Sequence, residues 1–193
     1  MTQNILILGI GNTLLSDEGA GVHLISRMQA ATGEIPGVEY LDGGTLSFTL
    51  AEPIAQASGL IVVDAARMKQ APGTVRIYRD EEMDEYLKGN RASVHEVSLS
   101  DLLDIARLSE TLPPRRCLVG IEPQELDWGE SPSPVVSEAI DRAIGQIQAL
   151  LREWQTDPLT KPECAPNRRE IVRIVSFFTR SRVRTEHEKH LHP

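Results

Sequence analysis

Two cysteines in 193 residues, Cys117 and Cys164, are too few for a disulfide framework, and a single bridge between them is unexpected in a reducing compartment. Long apolar runs are missing too. The longest fall well short of the roughly 20 residues needed to cross a bilayer, so no membrane association is expected. The opening Met1-Thr2-Gln3-Asn4 carries no basic n-region and leads to no small-residue cleavage site, so no secretory signal is expected and the cytoplasm is the default location. A basic body is also lacking. The net charge is −8, the acidic excess lies in residues 1–154, and the basic surplus beyond residue 155 is too dilute for a nucleic-acid footprint. There are no internal repeats.

What is present is an ordinary globular composition, 40% hydrophobic and 25% charged. Its length suits one domain over residues 1–154, followed by a linker and basic tail over 155–193. Asn4–Gly9 (NILILG) is a continuous apolar run closed by glycine, the pattern of a buried strand, and Gly19–Ala31 follows with Val22, Ile25 and Met28 on one helical face. Val38–Leu41 and Gly59–Val63 (GLIVV) read as two more strands. Between them Ser47–Ala57 is helical, with Pro53 kinking it or marking its first turn. Val75 and Ile77 alternate with polar neighbours across Gly73–Arg79, which fits a half-exposed edge strand whose partner runs antiparallel. Glu81–Lys88 is a short acidic helix. Ser98–Leu108 is a firmer one, with Ser98 and Ser100 as capping candidates and Leu99, Leu102, Leu103 and Ala106 as its stripe. Cys117–Ile121 closes the strands, and Ser133–Trp154 is a long amphipathic helix.

This alternation predicts an α/β three-layer sandwich, a twisted and mostly parallel sheet of about five strands flanked by helices. Beyond it, Pro158, Pro162 and Pro166 break regular structure, and Glu170–Phe178 is expected to dock as a short strand or helix.

Ligands of open α/β sheets bind beyond the carboxyl ends of the strands. There the sequence places Asn12, Asp17 and Glu18, then Asp42, Asp64 and Glu122. Five carboxylates on one rim repel one another unless a cation or hydrogen bonds compensate, and a metal is the simplest remedy. Only two histidines lie in the body. His95 sits in a loop, Ala92-Ser93-Val94-His95-Glu96, able to reach the rim, whereas His23 among apolar helix neighbours reads as an ordinary core or surface side chain. Two carboxylates and an imidazole suit Zn, Ni, Mn or Fe and leave coordination positions open.

Other chemistries fit less well. Gly9-Ile10-Gly11 after a strand suggests a dinucleotide fingerprint, but position 14 is leucine and Asp17-Glu18 would face the pyrophosphate, so a tight turn that aims the acidic pair is the better reading. Ser16 and Cys117 have no neighbouring base and are assigned to structure. The Asp42-Gly43-Gly44-Thr45 turn is either a flexible loop or a substrate contact. His187, His190 and His192 in the charged tail read as solvated.

Five blocks in order, Gly9-Ile10-Gly11-Asn12-Thr13-Leu14-Leu15-Ser16-Asp17-Glu18-Gly19, Asp42-Gly43-Gly44-Thr45, Val62-Val63-Asp64-Ala65, Ser93-Val94-His95-Glu96 and Val119-Gly120-Ile121-Glu122-Pro123, resemble the hydrogenase maturation endopeptidases of nickel–iron hydrogenases over about residues 4–154. The resemblance implies a metal-dependent, aspartyl-protease-like hydrolase that removes the C-terminal extension of the large-subunit precursor once nickel is inserted. It implies that Glu18, Asp64 and His95 contact the metal as the catalytic set. The turn from Asp42 through Gly43 and Gly44 to Thr45 would bear on substrate choice. Asp17 and Asn12 would support the ligands from behind. The nickel would be the precursor's own, with zinc or cadmium able to occupy the site in vitro, and a monomer is expected. Two readings compete: a non-catalytic nickel-site chaperone, which binds precursor without shortening it, and a nucleotide-binding α/β module.

Overall fold

The computed structural model of the chain describes residues 4–89, 97–156 and 171–176. Strand β1 (Ile5–Ile10) leads through a 3-10 turn at Ser16–Gly19 into α1 (Ala20–Thr32). There follow β2 (Val38–Gly44), α2 (Ala51–Gln56), β3 (Gly59–Ala65), β4 (Val75–Arg79), α3 (Asp80–Gly89), α4 (Leu99–Leu108), β5 (Arg115–Ile121) and α5 (Pro134–Thr156). The sheet order is β2-β1-β3-β5-β4. All neighbours are parallel except the edge strand β4, which runs antiparallel to β5. This is the expected α/β sandwich, with its antiparallel edge.

The strand pattern explains the layers. Side chains alternate across a strand, so Ile5 and Ile7 of β1 join Ile61, Val63, Cys117 and Val119 on the face covered by α1 and α5. Leu6, Leu8 and Ile10 join Leu60, Val62 and Leu118 under α2, α3 and α4. Every residue of β1 is buried, which is why its sequence is continuously apolar instead of alternating. Fully burying each such side chain stabilises the fold by roughly 1.5–3 kcal/mol. No helix among the described residues is long and apolar enough to cross a membrane.

Local signals account for the helix ends. Ser98 caps α4 by accepting the Asp101 backbone N–H at 3.2 Å, while the Asp101 carboxylate accepts the Ser98 backbone N–H at 2.8 Å. This reciprocal arrangement is the capping box, and Ser98 rather than Ser100 provides it. Pro53 falls in the first turn of α2, where its missing N–H costs nothing. Residues 171–176 are helical, and Ile171 is buried against the second core with Ile174 and Val175 packed beside it.

One contact fixes where the chemistry lies. A side chain on Gly21, in the first turn of α1, would collide with the backbone carbonyls of Val63 and Ile10. Glycine therefore lets α1 settle directly on the carboxyl ends of β1 and β3. The sheet order reverses between these two strands, since β1 leads outward to β2 and β3 leads the other way. Such a switch point leaves a crevice at the strand ends.

Candidate active site

Glu18 lies on the 3-10 turn just ahead of α1, and Asp64 is the second-last residue of β3, so the Gly21 contact draws them to the same crevice. Both are half-buried. Burial pushes the Asp64 carboxyl up to about 7, the Ala65 backbone N–H opposes this, and the charge of Glu18 raises it further. The effect of the Glu18 charge on Asp64 places the two carboxylates near one another at the crevice.

The five acidic side chains of the rim divide into two groups. Asp17, 0% exposed, accepts hydrogen bonds from the backbone N–H groups of Gln124, Glu125 and Ser133 and from the Ser133 hydroxyl, at 2.6–2.9 Å. Glu122 is likewise buried and accepts the backbone N–H groups of Met68 and Gln70 at 2.7 and 3.0 Å. Asp42, exposed, accepts the Gly44 N–H at 2.9 Å and so shapes its own turn. These three have donors built for them. Glu18 and Asp64 form no ion pair with any lysine or arginine among the described residues. Among the described residues no lysine or arginine balances either charge, and the Ala65 backbone N–H is the donor that Asp64 has.

The remaining site residues frame this pair. Asn12 accepts the Leu14 N–H through its side chain at 3.0 Å and the Leu15 N–H through its carbonyl at 3.1 Å, folding the first loop. Gly11 has φ of +133°, and a side chain there would strike the Glu18 carbonyl, so only glycine lets the loop turn back under Glu18. The Gly11 N–H donates to the Gly44 carbonyl at 2.9 Å. That bond seats the Asp42–Gly44 turn, with exposed Thr45 after it, beside the first loop. His95 lies outside the described residues.

Neighbouring polar groups are otherwise engaged. The Ser16 hydroxyl donates to the Asp127 carbonyl at 2.9 Å, and the buried Cys117 thiol is pushed up to about 12 by burial, so neither is a nucleophile. The His23 ring lies against Gly19. Its buried Nε2 has no partner among the described residues, and burial together with Arg27 lowers its pKa.

Three groups escaped the sequence reading. Ser133 gives Asp17 two of its four hydrogen bonds, and its only sequence signal was its place before a helix. Gly129 donates to the Leu14 carbonyl at 3.0 Å and accepts the Ser16 N–H at 2.7 Å, joining two loops over a hundred residues apart. Tyr86 of α3 stacks on Tyr78 with ring centroids 4.2 Å apart. Burial, Tyr78 and the charges of Asp64 and Glu122 push its phenol up to about 12, so it stays protonated near the rim.

A doubly covered, mostly parallel sheet with Glu18 and Asp64 at its switch point defines an α/β sandwich whose crevice is acidic, a charge that disfavours the phosphates a dinucleotide would bring there. Comparison with known proteins is specific. The family model described as hydrogenase maturation protease matches residues 22–150. The hydrogenase 2 maturation protease of Escherichia coli is 39% identical over 152 residues, spanning 78% of this chain and 92% of that protein. The hydrogenase expression/formation protein HupD of Rhodobacter capsulatus is 38% identical over 154 residues, 79% of this chain and 73% of that one. Among solved structures, the hydrogenase maturating endopeptidase HybD from E. coli superimposes with a TM-score of 0.72 at 38% identity, covering 78% of this chain and 93% of its own. The maturation protease HybD from Thermococcus kodakarensis gives 0.62 at 27% identity, covering 77% and 99%. The chain belongs to the hydrogenase maturation proteases, a family of peptide-bond hydrolases.

Proposed function

We propose that this chain is the endopeptidase that removes the C-terminal extension of a nickel–iron hydrogenase large-subunit precursor after nickel insertion. It acts in the cytoplasm as a monomer, and Glu18, Asp64 and His95 contact the precursor's own nickel. The observation that carries the reading is the Glu18–Asp64 pair, two carboxylates in one crevice that no lysine or arginine among the described residues pairs with, one of them resisting ionisation until about pH 7. A divalent cation on the incoming substrate removes that penalty.

Recognition and chemistry are then one event. Nickel-loaded precursor gains the ligand contacts and nickel-free precursor does not, so cleavage reports metal insertion. The cation's charge near the scissile carbonyl favours water addition, which suits a site where Ser16 and Cys117 are not available as nucleophiles. The hard-to-borderline donor set also suits zinc or cadmium in vitro. Asp17 holds the Glu18 loop in place through the β5–α5 connection, Asn12 folds that loop, and the Asp42–Thr45 turn at its flank bears on which precursor is accepted.

The test is single replacement, Glu18→Gln, Asp64→Asn and His95→Ala, each incubated with nickel-loaded precursor. Loss of at least about a hundredfold in processing rate is expected from each. Undiminished processing by any one of them removes that residue from the site.

A further inference from the structure

Among the described residues only four large hydrophobic side chains are exposed, and two of them, Leu14 at 48% and Trp128 at 82%, lie on the loops that flank Glu18. The other tryptophan of the chain, Trp154, is buried. Trp128 is not on a slack loop. Its neighbour Gly129 is bonded to Leu14 and Ser16, Asp127 holds the Ser16 hydroxyl, and the buried Asp17 carboxylate grips Gln124, Glu125 and Ser133. A tryptophan held outward by a fastened loop loses little freedom on binding, which is the property of an interface anchor.

The electrostatic setting has one sign. No lysine or arginine occurs in residues 1–26 or 117–141, so both loops are purely acidic. Glu125, Asp127 and Glu130 around the tryptophan are exposed and form no ion pair among the described residues. An apolar anchor ringed by free carboxylates complements an apolar side chain flanked by cations. The surface is continuous with the crevice through the backbone of residues 14–18.

We propose that Leu14 and Trp128, ringed by Glu125, Asp127 and Glu130, dock a segment of the precursor in which an apolar side chain is flanked by lysine or arginine. This rests on the reading of the chain as that precursor's protease. The surface sets how tightly the precursor is held while the Glu18–Asp64 crevice meets the nickel, so it governs KM rather than kcat.

The experiment measures processing of nickel-loaded precursor over a range of concentrations, together with precursor binding by biolayer interferometry, for the wild type, Trp128→Ala, Trp128→Phe and a Glu125→Lys/Asp127→Lys/Glu130→Lys variant. Trp128→Ala is expected to raise KM and weaken binding about tenfold with kcat within about twofold, because the lost contact is made equally before and during reaction. Trp128→Phe is expected to recover much of the loss, the triple variant to weaken binding as Trp128→Ala does, and added salt to weaken wild-type binding. Trp128 is exposed, so melting temperatures within about 2 °C of wild type confirm intact folding. Wild-type KM and affinity in Trp128→Ala overturn the docking surface and leave the protease standing. Trp128-dependent binding by a wild type that never shortens the precursor overturns the cleavage reading and leaves the surface. Neither binding nor shortening by the wild type overturns both.

Discussion

The buried Asp17 carboxylate accepts both the backbone N–H and the hydroxyl of Ser133, at 2.6 and 2.9 Å, and thereby ties the loop that carries Glu18 to the start of α5. Two further backbone donors, from Gln124 and Glu125, complete its shell. A carboxylate so placed organises the crevice without entering it.

Asp17→Ala leaves four donors without an acceptor in a buried position. A loss of about 3 kcal/mol or more is expected, since hydrogen bonds to a charged group contribute about 1.5–3 kcal/mol each. Urea unfolding measures it, and a change below about 0.5 kcal/mol would show that water replaces the carboxylate. In protein still folded at low temperature, processing should fall as well, because Glu18 is no longer held.

Gly21→Ala presses a methyl group against the carbonyls of Val63 and Ile10, and backbone cannot yield as a flexible side chain does. Overpacking of this kind costs about 1–3 kcal/mol. Divalent-cation binding by calorimetry should weaken more than in a control change on the outer face of α1. Equal binding would mean that α1 does not set the Glu18–Asp64 approach.

Asp64 supplies a pH dependence. Its folded pKa, about 7, lies above the ordinary 3.8, so its contribution to stability is fully present below about pH 4 and lost as pH rises through about 7. Asp64→Asn should therefore stabilise the metal-free protein at pH 8, on the order of 2 kcal/mol, and change little at pH 4. Zinc affinity of the wild type should rise with pH and level off above about 7. A flat profile from pH 5 to 8 contradicts ligation by Asp64.

The Asp84–Arg116 pair behaves oppositely. Burial alone would raise the Asp84 carboxyl, but hydrogen bonds and charge from Arg116, aided by Arg107, hold it below its ordinary value. Its stabilisation is present above about pH 4 and is lost as pH falls through the lowered value. Arg116→Ala leaves a nearly buried carboxylate, its side chain 13% exposed, with only Arg107 at 2.9 Å to pair it, and should cost about 2–3 kcal/mol at neutral pH, less than the loss of a sole partner, with a smaller acid-induced loss thereafter. Thermal melts from pH 2 to 7 resolve both effects.

Much of this was legible in the sequence because period and position carry it. Buried apolar runs marked β1, β3 and β5, alternation marked β4 as the edge, and the strand ends located the rim. Which carboxylates face the crevice was not legible. Asp17 and Glu122 look like Glu18 and Asp64 in the sequence, and only the arrival of backbone N–H groups from distant loops, Ser133 for Asp17 and Met68 for Glu122, separates them. The family resemblance implies Glu18 and Asp64 as ligands, with Asp17 behind them and Asp42 toward substrate, and hydrogen bonding shows that Asp17, Glu122 and Asp42 have backbone donors of their own. Trp128 gave no periodic signal, since its meaning lies in the fastening of its loop.

The most direct test of the central claim is the intact mass of the large-subunit precursor after incubation with this protein, with and without nickel loading. The expected result is loss of one C-terminal fragment from the nickel-loaded precursor and none from the nickel-free form. An unchanged mass despite stable binding would contradict cleavage and identify a nickel-site chaperone, and equal cleavage of both forms would contradict the role of the precursor's nickel.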